Sequence, residues 1–198
     1  MTQQEIQNYW QYCLSIERNL AKTTDFVEVC EANKDTYSFE YAKIIMLACS
    51  EVETLCKLLC NEIQPDCGFT DSARKDLDMR NYASVIFPEY PSLINFEVWH
   101  KKMHCAIVPF AKCKDKGPPT WWESYQKVKH CRHAEYHLST QATAFEALAA
   151  LIALNIYLYR RVVGEYPVNN MSLFYSKYFI VPAVYKMDDE ISEFAVTS

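Results

Sequence analysis

The stretch TWWESYQKVKHCRHAEYHLSTQATAFEALAALIALNIYLYRRVVG, residues 120–164, holds no proline, and its only glycine is its last residue. Nothing inside it stops a helix until Gly164, the residue type best suited to close one in the left-handed conformation. A single straight helix over this length would run about 66 Å at 1.5 Å per residue. A compact chain of this size is only about 40 Å across by the scaling of its radius of gyration. The rod must therefore break, and the polar interval 127–140 is where it can do so. That leaves a short helix carrying Trp121 and Trp122, and a long one over about 138–163. The long one is apolar nearly all round (Phe145, Leu148, Leu151, Ile152, Leu154, Ile156, Leu158), the pattern of a central bundle helix.

The segments upstream supply its partners. Residues 2–21 read as a helix in which Thr2 and Glu5 have capping-box spacing and Ile6, Tyr9, Cys13, Ile16 and Leu20 form one stripe. Ser38 caps a second helix that runs to about residue 63, ahead of Pro65, with Tyr41, Ile44, Ile45, Ala48, Val52, Leu55 and Leu59 along one side. A third is expected from Thr70 toward Val85, stopped at Phe87-Pro88-Glu89-Tyr90-Pro91. Residues 93–110 are apolar without a firm period, so strand pieces and an irregular packed segment are equally open. Residues 112–119 form a charged linker, after which Thr120 and Glu123 repeat the capping-box spacing. The expected architecture is mainly α: a bundle of long antiparallel helices over 1–164 with an irregular middle. A Tyr/Phe-rich extension over 165–198 can form a hairpin of short strands or wrap the bundle.

Composition narrows the function. With 50% hydrophobic and 23% charged residues the chain has the make-up of a globular protein, not a disordered one. Gly68, Gly117 and Gly164 are too sparse to write a GxGxxG or GxxxxGK[ST] loop, which removes the dinucleotide and P-loop classes. A formal charge of −5 disfavours bulk attraction to nucleic acid, so any such binding needs a local basic patch. The first ten residues have neither a basic nor an apolar leader region. The nine cysteines are accordingly expected to be reduced, with Cys49, Cys56 and Cys60 acting as buried hydrophobes in a cytoplasmic protein without a disulfide framework. The best membrane candidate, residues 147–159, is interrupted by Asn155 and falls short of the roughly 20 apolar residues a span requires, so no membrane partner is expected.

One constellation stands out. Lys127, Lys129, His130, Arg132, His133 and His137 form the densest basic cluster, interleaved with Tyr125 and Tyr136. At helical spacing Lys129, His133 and His137 share a face, with Arg132 at its edge, which makes a phosphate-reading surface. The plainer alternative is a solvated basic helix end. Arg132 and His137 are separated by four residues, and in a straight helix they would point about 140° apart, so their convergence needs the break. A zinc site could draw on His133 and His137 with Cys131, Cys105 or His104, but no CxxC or HExxH string supports it, and no metal or other cofactor is expected. Trp121 and Trp122 could stack bases, although paired tryptophans opening a helix more often anchor it to the core.

The string Trp121-Trp122-x-x-Tyr125-x-x-Val128-Lys129-His130-x-Arg132 and the Ala/Leu-rich helix after it resemble a group of bacterial proteins in the all-helical HEPN superfamily, as does Cys49-Ser50-Glu51-Val52-Glu53 through Lys57. The likeness covers roughly 38–63 and 118–160. Where that group carries an asparagine this chain has Gln126. The resemblance implies a HEPN-like bundle and a metal-independent endoribonuclease of the kind found in phage defence or as toxins, or else a non-catalytic module that binds RNA, a nucleotide or a protein. It implies His137 as general base or acid and Arg132 as phosphate clamp. His130, Lys129 and His133 are then helpers, with Lys127 and Tyr125 beside them. Glu51, at the edge of the second helix's stripe, could orient one of these groups or neutralise Lys129 or Arg132. Related domains often form homodimers, and toxin-like members have an antitoxin or other partner protein.

Overall fold

The computed structural model describes residues 1–65, 68–70, 77–115 and 117–179. Helix α1 spans Gln3–Thr23, and its start is fixed as the sequence predicts: the Thr2 hydroxyl accepts from Glu5 N (3.2 Å) while the Glu5 carboxylate accepts from Thr2 N (2.7 Å). Helix α2 spans Phe39–Ile63, with the Ser38 hydroxyl accepting from Tyr41 N at 3.1 Å. Helix α3 covers Met79–Glu89, α4 Thr120–Glu135 and α5 Gln141–Val163. Gly164, at φ 83°, closes α5 in the left-handed region.

Helix α5 is the axis of the core. Ala147 through Ile156 are all buried, and α2 and α1 provide its most extensive contacts, with α4 adding a smaller one. The apolar helix is longer than the 147–159 stretch counted in the sequence, so that by length and composition alone α5 could cross a bilayer, yet 83% of its most apolar window is covered by the rest of the protein. Trp121 and Trp122 face this core at 1% and 6% exposure, and Trp121 Nε1 donates to Pro109 O at 2.7 Å. They are therefore anchors and not an open stacking surface.

The middle segment resolves into strand pieces held between two 3-10 turns, Pro91–Asn95 and Ala111–Asp115. Strand β1 (Val98–His100) pairs antiparallel with β2 (Cys105–Ile107) on one side and with β3 (Phe174–Tyr175) on the other. The C-terminal extension thus contributes a strand to the middle of the chain. It is tethered by Glu17, a carboxylate on α1 at 1% exposure that accepts from Ser172 N (2.8 Å), Ser172 Oγ (2.9 Å) and Leu173 N (2.6 Å). Residues 180–198 of the extension lie outside the described residues.

Two expectations need correction. The third helix starts later than Thr70, at Met79, where the Asp78 carboxylate caps Arg80 N and Asn81 N, and it passes through Pro88 to Glu89. A proline in the last turn costs the Ser84 carbonyl its helical partner but does not prevent the turn. Residues 71–76 of the expected helix lie outside the described residues. The second correction is at Thr120, which does not cap α4. Pro119 O already accepts from Trp122 N and Glu123 N (both 3.1 Å), so the Glu123 amide has no need of the Thr120 hydroxyl. The Glu123 carboxylate turns instead to Lys112 Nζ at 2.7 Å.

Candidate nucleic-acid interface

The break required by chain length is present. Within α4, Cys131 leaves helical geometry (φ −131°, ψ 40°), a 3-10 turn follows at Tyr136–Leu138, and α5 restarts with the Thr140 hydroxyl accepting from Thr143 N at 3.1 Å. The loop between α1 and α2 holds this joint in place. Gln141 N donates to Thr36 O (2.8 Å), Ala142 N to Lys34 O (3.0 Å) and Ser38 N to Ser139 O (3.4 Å), and Tyr37 forms a β-bridge with Thr140. The Gln141 amide also reaches the Tyr41 hydroxyl at 3.1 Å and Glu28 O at 3.3 Å. The first two amides of α5, which have no acceptor within that helix, are thus satisfied across the bundle.

At this joint Lys127, Lys129, His130, Arg132, His133 and His137 are all exposed, while Tyr125 is buried. The Arg132 guanidinium lies over the Phe39 ring, 5.9 Å from its centroid. The Tyr136 ring lies 5.1 Å from the Phe39 ring and 5.4 Å, edge-on, from the Tyr37 ring. Arg132 and Tyr136 therefore converge on Phe39. Among the described residues no hydrogen bond joins Arg132 to His137, although His137 follows Tyr136 directly in the turn. Lys129 lies 5.4 Å from the centroid of Tyr125. Burial pushes the Tyr125 hydroxyl above its ordinary pKa, and Lys129 partly offsets this.

The shared face expected for Lys129, His133 and His137 does not follow from their spacing, because Cys131 breaks the helical phase between Lys129 and His133 and the 3-10 turn breaks it again before His137. Glu51 lies elsewhere: its charge is felt by Cys13 of α1, and burial raises its own pKa. Among the described residues no ion pair links it to Lys129 or Arg132. The carboxylate of α2 that bears on Tyr125 is Glu53, itself bound to Lys57 at 2.8 Å. Among the described residues no group of three or more His, Cys, Asp or Glu side chains is assembled to hold a metal ion; Cys105, one of the ligands considered for zinc, is engaged in β2 opposite His100.

Tyr37 and Phe39 were not among the residues the sequence singled out. They carry a signal nonetheless, since both flank the Ser38 cap and Phe39 falls outside the apolar stripe that begins at Tyr41. A large aromatic off the buried face of a helix has to meet solvent or a partner. A scan against protein-family models and searches of curated proteins and of solved structures find no match to this chain.

Proposed function

We propose that this chain is a HEPN-like helical protein that binds RNA at the α4–α5 joint, with the exposed cations of residues 127–137 reading phosphates. The observation that carries this reading is the concentration of Lys127, Lys129, Arg132 and three imidazoles, all exposed, at one helix break. Among the described residues none of Lys127, Lys129 or Arg132 has a carboxylate within ion-pair distance. Because the chain as a whole is acidic, attraction is confined to this patch and binding should be strongly salt-dependent. If three phosphates are neutralised, the slope of log affinity against log salt on a single strand is about −2. Titrating labelled RNA in EDTA at several salt concentrations tests this. Joint replacement of Lys127, Lys129 and Arg132 by Gln should flatten the slope, and an unchanged slope would refute the assignment.

A second reading, metal-independent cleavage, draws on the kink itself, which removes the straight-helix constraint that would hold Arg132 and His137 about 140° apart. In that chemistry neutral His137 takes the 2′-OH proton, the 2′-oxygen attacks phosphorus, and Arg132 balances charge on the phosphate oxygens. A protonated imidazole, His130 or His133, gives a proton to the departing 5′-oxygen, leaving a 2′,3′-cyclic phosphate. Cutting of RNA in EDTA that is lost in both His137→Ala and Arg132→Ala would favour cleavage over binding alone. The HEPN resemblance extends the proposal to a cytoplasmic, bacterial homodimer with an antitoxin-like partner, and sedimentation of the purified chain tests the dimer.

A further inference from the structure

We infer that Phe39, in contact with Tyr136, which in turn meets Tyr37, is a stacking platform for an unpaired base, so that the RNA taken at the joint is single-stranded. This rests on the RNA reading above and narrows its substrate class. Phe39 is 64% exposed and Tyr37 52% exposed, although both belong to well-anchored backbone. Phe39 is the first residue of a helix capped by Ser38, and Tyr37 is paired to Thr140. The rings are therefore positioned in advance and lose little freedom when something settles on them.

What settles there is indicated by what already does. The planar Arg132 guanidinium rests on the Phe39 ring at 5.9 Å, a cation–π contact that marks this face as open to a flat group. A base can take that place, and the displaced guanidinium then has a phosphate within its own reach. A peptide side chain would gain most from an enclosing pocket, whereas rings this open suit the flat face of a base. Charge points the same way. Glu40, next to Phe39 in sequence, is paired with Lys43 at 2.6 Å, whereas Arg132, the cation that lies on the Phe39 ring, has no carboxylate partner among the described residues. A duplex keeps its base faces inside the stack and could offer this surface only phosphates.

The test uses a labelled unpaired RNA of mixed sequence and a duplex of the same length, titrated in EDTA against the full chain and against Phe39→Ala and Phe39→Trp. Because Phe39 is exposed, both variants should keep the parent's circular dichroism and thermal midpoint. The expected result is about ten-fold or greater preference for the unpaired strand, lost in Phe39→Ala and regained in Phe39→Trp, whose emission the RNA quenches. Equal affinity for strand and duplex, or a preference that survives Phe39→Ala, overturns the platform and leaves the phosphate reading standing. Failure to bind either RNA overturns both. Binding of an acidic peptide that depends on Phe39, with neither RNA bound, would overturn both in favour of a protein partner.

Discussion

Replacing Glu17 with alanine should loosen the C-terminal extension from the bundle. One carboxylate oxygen accepts from Ser172 N, Ser172 Oγ and Leu173 N, at 2.8, 2.9 and 2.6 Å. Its charge also supports Lys101, whose ammonium is held below its ordinary pKa chiefly by burial and raised again by Glu17, and which donates to Met171 O at 2.6 Å. Hydrogen bonds to an ionised acceptor contribute about 1.5–3 kcal/mol each, and removing one member of a buried charged network costs about 3–5 kcal/mol. Ser172 itself reaches solvent, so water can rescue part of the loss and the lower figure, about 3 kcal/mol, is expected for Glu17→Ala. For a chain of about this size that lowers the thermal midpoint by roughly 6–12 °C. Glu17→Gln keeps an acceptor and the volume and should cost about half as much. Urea unfolding gives the free energy, and hydrogen exchange should show the amides of 172 and 173 losing protection before the helices do. A loss below about 1 kcal/mol for the alanine variant, or unchanged exchange at those amides, would refute the tether.

His100 makes stability depend on acid. It is 2% exposed, its Nδ1 accepts from Met103 N at 3.1 Å, and its Nε2 has no partner among the described residues. Burial, then Lys102 and His104, hold its pKa below the ordinary 6.5. A group whose pKa is depressed by folding is protonated first in the unfolded chain, so stability should fall as pH drops below about 6.5, by at most about 1.4 kcal/mol per pH unit. Half-buried Glu51 and Glu146, whose pKa values are raised by burial, work in the opposite direction, so the comparison is between parent and His100→Phe. Equal pH slopes for the two between pH 7 and 5 would contradict this assignment. Asn155, buried in the middle of α5, donates to Leu151 O at 3.0 Å but its Oδ1 has no partner among the described residues, so Asn155→Leu should raise stability by about 1 kcal/mol in thermal or urea unfolding. A marked loss would mean that the oxygen has a partner such as water, or that the site cannot accept leucine's shape.

The long helices were legible because each carries its own punctuation. Thr2 with Glu5, Ser38, and Gly164 are local signals, and the structure places α1, α2 and the end of α5 within two residues of where they point. The break near Cys131 came from length alone, since no residue there is a helix breaker. The sheet was not legible. Strands of two and three residues are too short to display a period, and β3 reaches β1 from more than seventy positions away in sequence. The site was half legible: the basic cluster is contiguous and visible, whereas Phe39 and Tyr37 join it only through pairing between the 34–38 segment and the start of α5. Glu51 and Glu53 show the same limit, because a two-residue step along α2 turns a carboxylate from α4 toward α1.

A helix that is buried on every side has a consequence for biosynthesis. Both α1 and α2 leave the ribosome long before α5 and must wait, with their apolar stripes uncovered, for the segment that completes them. Folding should therefore be late and nearly all at once, and chains arrested short of residue 141 should remain protease-sensitive and prone to capture by chaperones. Once α5 emerges it closes contacts of high sequence separation with both waiting helices. The same greasy segment that resembles a membrane span in isolation thereby acts as the keystone that commits the nascent chain to its native state.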